Sequence, residues 1–207
     1  TVGGGIRSIE NAYEIFKSGA DKIAVNTAAV KEPLLLERLV KEFGSQSIVI
    51  SIEAKNINNN KWEVYTECGR EKTGLDVFEW AKKCVDLGVG EILITSINNE
   101  GTRKGFEIDL IQKLTDSINI PIIASGGMGK IEHLFELIEK GNIDAVCMAD
   151  ILHYKRYKIP FQNNDSILLT MKYIFNFYAQ HLPFNIKKQI KDLNYMVVKE
   201  LTPNIIM

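Results

Sequence analysis

Gly4-Gly5-Ile6-Arg7-Ser8-Ile9-Glu10 returns about 122 residues later as Gly126-Gly127-Met128-Gly129-Lys130-Ile131-Glu132, and Gly19-Ala20-Asp21 returns as Gly141-Asn142-Ile143-Asp144. Each copy is a glycine turn that leads into a helical stretch and closes on another glycine. In the first, Ser8 to Lys17 places Ile9, Ala12, Tyr13 and Phe16 at helical spacing; in the second, Ile131 to Lys140 does so with Leu134, Phe135 and Ile138. Ser8 is expected to cap the first helix, and Gly19 and Gly141 stand where a helix C-terminus favours glycine.

Working outward from this repeat, short apolar runs alternate with helical stretches. The runs are Lys22-Ile-Ala-Val-Asn26, Ser47-Ile-Val-Ile-Ser-Ile52, Glu91-Ile-Leu-Ile-Thr-Ser96, Pro121-Ile-Ile-Ala-Ser125 and Asp144-Ala-Val-Cys-Met-Ala149. Continuous apolarity is what strands covered on both faces require, and alternation with helices implies parallel pairing. A pattern that repeats after about four such units predicts an eight-unit (β/α)8 barrel of two similar halves, of which about the last six units lie in this chain. The competing fold, a doubly wound open sheet, predicts no half-length repeat. Its dinucleotide fingerprint is also absent, because Gly3-Gly4-Gly5 runs on into Ile6-Arg7-Ser8.

The bulk properties narrow the function. A net charge of -1 gives no general attraction to nucleic acid or anionic lipid, so any anion must be bound locally. Cys68, Cys84 and Cys147 are odd in number and lack metal-ligand spacing, which suits unpaired thiols in a reducing, cytoplasmic setting. No apolar stretch reaches the length of a membrane span. His133, His153 and His181 have no ligand neighbours at useful spacing, so neither a metal nor a cofactor is expected.

In a barrel of this class the site lies at the C-terminal ends of the strands. Gly4 and Gly5, and again Gly126 and Gly127, offer bare backbone N–H groups ahead of a helix, a suitable cradle for phosphate. Because the two turns are repeat-related, they are expected to face each other across the barrel mouth, each with the next strand end, Asn26-Thr27 or Ala149-Asp150. The inference is a substrate with a phosphate at each end. Glu53 closes its strand and is either a general acid or base pointing into the mouth or a solvated partner of Lys55. Asn56 to Lys61 is turn-rich and, with Trp62-Glu-Val-Tyr-Thr66, reads as a hairpin inserted after that strand, either a lid or plain surface.

Thr1-Val-Gly-Gly-Gly-Ile-Arg7, Gly19 through Val30, Phe43-Gly-Ser-Gln46, Trp62 through Thr66, Gly90 through Ser96, Pro121 through Gly127 and Leu152-His-Tyr154 together resemble the cyclase subunit of imidazole glycerol phosphate synthase. The resemblance covers residues 1–158 and is looser to the other bis-phosphate barrel of histidine biosynthesis. It implies a TIM barrel of the ribulose-phosphate-binding type without its first strands. It further implies a lyase that takes ammonia from a glutaminase subunit, its heterodimer partner. With that ammonia it converts a bis-phosphorylated formimino-carboxamide ribonucleotide to imidazole glycerol phosphate and aminoimidazole carboxamide ribonucleotide.

By this resemblance the catalytic candidates are Glu53, Thr95 and Ser96. The phosphate-binding candidates are Gly4, Gly5, Asn26, Thr27, Gly101, Ser125, Gly126, Gly127, Ala149 and Asp150. Asp21, Lys22 and Glu91 match an ammonia gate and partner-facing surface. The family uses two aspartates as acid and base; the first falls before Thr1 and the second falls on Glu53. Two further positions depart: Asn98-Asn99-Glu100 carries one carboxylate where two are usual, and Asp150 replaces a serine. These departures leave open a paralogous ammonia-channelling barrel that amidates a surface sugar, or a non-catalytic scaffold that binds a glutaminase. Residues 159–207 leave the family pattern and are expected to form a divergent helical extension that closes or covers the barrel. Within it, the aromatic stretch Ser166 to Leu182 is a further helix or a partner surface.

Overall fold

A computed structural model describes residues 1–58 and 61–149. The expectations for Asp150, for the extension at 159–207, for its aromatic stretch and for His153 and His181 lie outside the described residues. Six parallel strands form one curled sheet: β1 (Val2–Gly3), β2 (Ile23–Val25), β3 (Ile48–Asn58), β6 (Glu91–Ser96), β7 (Ile122–Ser125) and β8 (Ala145–Cys147). Their order in the sheet is their order in the chain, β1-β2-β3-β6-β7-β8. A doubly wound sheet must reverse direction at a switch point, and this one never does. The fold is a partial (β/α)8 barrel, as the glycine repeat implied.

Helices follow the strands and cover the outer face of the sheet: α1 (Ile9–Lys17), α2 (Thr27–Lys31), α3 (Leu34–Phe43), α4 (Val77–Asp86), α5 (Ile108–Ser117) and α6 (Ile131–Gly141). Burial follows strand parity. Ile48, Ile50, Ile52 and Ala54 of β3, with Ile92 and Ile94 of β6, are sealed under the helices among Leu35, Leu39, Ala81 and Leu114. Residues of the other parity, among them Ser51, Glu53, Leu93 and Ile123, are less covered and look inward. This alternation is the period-two geometry of a strand, with the helix layer on one side and the barrel interior on the other.

The helix ends obey local chemistry. Ser8 caps α1 by accepting from the Asn11 N–H, and Asp76 caps α4 by accepting from Phe78 and Glu79. Gly19 follows α1 at φ 100°, as expected. At α6 the expectation is corrected. Gly141 is the last helical residue, packed where a Cβ would come within 2.9 Å of Leu137, and Asn142 takes the left-handed position at φ 44°. Asparagine tolerates that region because its short amide bonds locally.

Beyond the sheet, β3 runs on past Glu53 and pairs antiparallel with β4 (Lys61–Thr66), which pairs with β5 (Glu71–Asp76). The hairpin was expected from Trp62 to Thr66. Strand β5 was not, because Glu71-Lys-Thr-Gly-Leu-Asp76 has neither apolar alternation nor β-branched density.

Candidate functional site

A cavity of about 910 Å³ opens at the C-terminal ends of the strands. Its floor is apolar, with Ala24, Val49, Leu93, Ile123 and Ala145 each one inward step along its strand. Its rim carries Gly3 to Gly5, Arg7, Asn26, Thr27, Lys31, Ser51 and Glu53, with Glu67 and Cys68 from the turn between β4 and β5. A small apolar well with a few convergent polar groups is the usual form of a small-molecule site.

Register determines which candidates share the interior. Glu53 pairs with Thr95, and Thr95 with Ser125, so these three lie in one inward row. Ser96 is one residue on and therefore points the other way. It pairs with the fully buried Ala54, is 3% exposed, and donates its hydroxyl to the Glu107 carboxylate in the helix layer. The geometry thus brings Thr95 to the side of Glu53 and takes Ser96 away from it.

The Glu53 carboxylate is held on one oxygen. Its Oε2 accepts from Asn26 Nδ2 at 3.0 Å and from the Gly69 backbone N–H at 2.8 Å, while no bond to Oε1 is found among the described residues. Lys55 is not its partner; that ammonium lies over the Tyr65 ring, 5.2 Å from the centroid. Of the two sequence readings for Glu53, the inward carboxylate is the one the geometry matches.

Asn26 spends both amide hydrogens, on Glu53 and on the Tyr65 carbonyl at 3.3 Å, and its buried Oδ1 has no partner among the described residues. Beside the Gly4-Gly5 turn, the Thr27 hydroxyl is the side-chain donor at this end. Thr27 Oγ1 already accepts from the Glu67 N–H, which leaves its own hydrogen to give.

The two glycine turns are not equivalent. Gly4 and Gly5, at φ 101° and 72°, have open space where a Cβ would stand, and they line the cavity. Gly126 and Gly127 are packed under the loop after β6. A Cβ on Gly127 would lie 2.0 Å from the Gly105 carbonyl, and one on Gly126 would lie 3.2 Å from Glu100 Oε2. A Cβ on the first turn thus meets open space and one on the second meets protein, and the second turn does not line this cavity. Gly101 sits on that covering loop at φ 70°, and Ala149 is exposed past β8.

At the opposite end of the barrel Lys22 and Glu91, at the starts of β2 and β6, form an ion pair, and Asp21 beside them is exposed. Three neighbours of the site had been overlooked. Arg7 stands two residues past the glycine turn and lines the cavity, a cation legible in the sequence, and it makes no ion pair among the described residues. Gly69 reaches Glu53 only through the hairpin, and Glu107 gathers Ser96, Trp62 and Asn56; neither leaves a local signal.

Among the described residues no cluster of three or more His, Cys, Asp or Glu side chains could hold a metal ion. His133 is turned into the β7–α6 turn, where its Nδ1 accepts from the Gly129 N–H at 3.2 Å. Burial, with Lys130 beside it, holds its pKa below the ordinary imidazole range. Cys84 is buried and its thiol is pushed up to about 12, so it is inert. No helix among the described residues is long and apolar enough to cross a membrane.

The family model described as histidine biosynthesis protein matches residues 1–158. The imidazole glycerol phosphate synthase subunit HisF of Chloroherpeton thalassium is 47% identical over 159 residues, covering 77% of this chain and 63% of that protein. The subunit of the same name from Pyrobaculum aerophilum is 51% identical over 154 residues, covering 74% of this chain and 60% of that protein. The chain thus spans about three fifths of the length of the curated relatives it matches. A second family model, described as minor capsid protein P8 central region, matches residues 139–207, mostly outside the described residues.

Proposed function

We propose, for a chain that belongs to the histidine biosynthesis protein family, that it carries the cyclase chemistry of imidazole glycerol phosphate synthase. On this reading it is a lyase of histidine biosynthesis, working in the cytoplasm with a glutaminase subunit. The observation that carries the proposal is the convergence of an open glycine cradle, Gly4-Gly5 with Thr27, and an inward carboxylate, Glu53, on one cavity.

The substrate's phosphate sits on the Gly4-Gly5 turn, where backbone N–H groups supply charge-matched donors and no Cβ obstructs approach. Arg7 adds a cation at the same rim. The reacting part of the substrate then lies toward Glu53. With Oε2 held by two N–H donors, Oε1 is the oxygen left to take or give a proton during ring closure. Thr95, next to Glu53 in the inward row, orients the substrate from the neighbouring strand. Beneath the apolar floor, the Lys22–Glu91 pair is placed to gate ammonia delivered by the partner, with Asp21 facing that partner.

A second reading is favoured at one position. Asn98 Oδ1 accepts from the Asn56 N–H at 2.8 Å, so a position that the resemblance makes acidic serves to anchor the hairpin root. The paralogue reading, amidation of a surface sugar, is supported by the absence of a carboxylate at Asn98 rather than by this contact, which an aspartate could also make.

The test is formation of imidazole glycerol phosphate with ammonium supplied directly, using the chain as it stands and the chain extended at Thr1 by two strand–helix units. Turnover that falls by roughly 10²-fold or more in Glu53→Ala supports the reading. Bisphosphate binding without turnover in either form overturns the cyclase assignment and favours the paralogue.

A further inference from the structure

The turn between β4 and β5 is bent in a way that L-residues adopt under constraint. Glu67, Cys68 and Gly69 follow one another at φ 51°, 59° and 73°, the left-handed region, although two of the three carry a Cβ. Such a conformation persists where its surroundings hold it. Apart from the turn's own bond, from the Arg70 N–H to the Thr66 carbonyl at 3.0 Å, the holders are on the cavity rim. Glu53 Oε2 accepts from the Gly69 N–H at 2.8 Å, Thr27 Oγ1 accepts from the Glu67 N–H at 3.1 Å, and Lys31 pairs with the Glu67 carboxylate at 3.0 Å.

These three contacts are unequal. The Lys31–Glu67 pair is 69% and 48% exposed, and surface pairs of that kind hold little. The Thr27 contact is neutral and exposed. The Glu53 contact is charge-assisted and part-buried, and the same oxygen is steadied from the other side by Asn26. A glutamate reaches one methylene further than an aspartate, and the N–H that it reaches is sixteen residues along the chain. Since Glu67 and Cys68 line the cavity, what holds the tip also shapes the cavity.

We propose that Glu53 is a positioning residue for the hairpin tip: through Oε2 it clasps Gly69 and keeps Glu67 and Cys68 in place as one wall of the substrate cavity. The proposal rests on the functional reading above only in taking this cavity as the substrate site. A ligand is accepted beneath a closed wall, and loss of the clasp opens that wall to solvent.

The Gly69 N–H that Glu53 accepts reports the clasp directly. The experiment follows amide hydrogen exchange at Gly69 in the full chain, with N-ethylmaleimide labelling of the buried Cys84 as the check on folding. Glu53→Ala is expected to raise the Gly69 exchange rate roughly tenfold or more, the equilibrium weight of a hydrogen bond to a charged group. Glu53→Asp, too short to reach Gly69, behaves like the alanine variant, whereas Glu53→Gln keeps an oxygen at the right reach and restores most of the protection. Equal exchange in wild type and Glu53→Ala overturns the proposal. If Glu53→Ala also exposes Cys84, the variant has unfolded, and Gly69 of the wild type decides: protection supports the clasp, and exchange at the open-chain rate overturns it. Neither readout needs turnover, so failure to bind a bisphosphate would end the functional reading and leave the clasp standing.

Discussion

Trp62 donates its indole N–H to Glu107 Oε1 at 2.7 Å, and that contact joins the root of the hairpin to the N-terminal end of α5. Asn56 Nδ2 reaches the same oxygen at 3.1 Å, while Ser96 binds Oε2. One carboxylate thereby satisfies donors from β3, β4 and β6. Trp62 is also 1% exposed, packs edge-on against Phe78 and lies under Lys113.

Removing the acceptor should cost more than removing one donor. Glu107→Ala leaves three part-buried donors without a partner, and about 2–4 kcal/mol of stability is expected to be lost. Trp62→Phe keeps the packing and loses one bond, for about 1 kcal/mol. Denaturant unfolding of both variants and the double mutant checks this; the double mutant should fall short of the sum, because the two residues share the bond.

His133 gives the protein a pH dependence with a defined sign. Burial lowers its folded-state pKa, and its neutral Nδ1 is the acceptor for the Gly129 N–H. Below the unfolded pKa of about 6.5 the unfolded chain binds the proton more readily, so stability is full above that pH and falls as pH drops toward the depressed folded value. Lys130 works in the same direction as burial, and Glu132 and Glu136 oppose it. Unfolding midpoints measured between pH 5 and 8 should show this slope, and it should weaken in His133→Leu.

The asymmetry of the glycine turns predicts opposite outcomes for the same substitution. Gly127→Ala drives a methyl to 2.0 Å from the Gly105 carbonyl at φ 100°, and a loss of about 3 kcal/mol or failure to fold is expected. Gly4→Ala meets nothing within 4 Å and costs only the left-handed penalty, about 1–2 kcal/mol, yet on the proposed function its methyl intrudes where the phosphate sits. Thermal unfolding separates the two, and titration with inorganic phosphate should show weakened binding in folded Gly4→Ala.

At the lower end, Lys22 and Glu91 are 28% and 17% exposed, partly shielded from water. Lys22→Met strands the glutamate charge and should cost about 1 kcal/mol after allowance for residual solvent screening. Pairing it with Glu91→Leu should recover that loss. On the proposed function the double variant also changes glutamine-dependent turnover while sparing turnover with free ammonium, which parallel assays would show.

By itself the sequence determined the barrel, the direction of its strands and the glycine turn at Gly4-Gly5. Apolar runs, helix periodicity, the Ser8 cap and the Gly4-Gly5 turn are properties of a few neighbouring residues, and such local chemistry is written in order along the chain. Tertiary structure decided what depends on register and on distant partners. The parity of β6 against β3 turned Ser96 into the helix layer while leaving Thr95 beside Glu53. Packing under the loop after β6 leaves no room for a Cβ on Gly126 or Gly127, though these residues repeat a turn that has that room. The partner of Glu53 was supplied by Gly69, a hydrogen bond from backbone that carries no side-chain signature, delivered by a strand whose composition did not announce it.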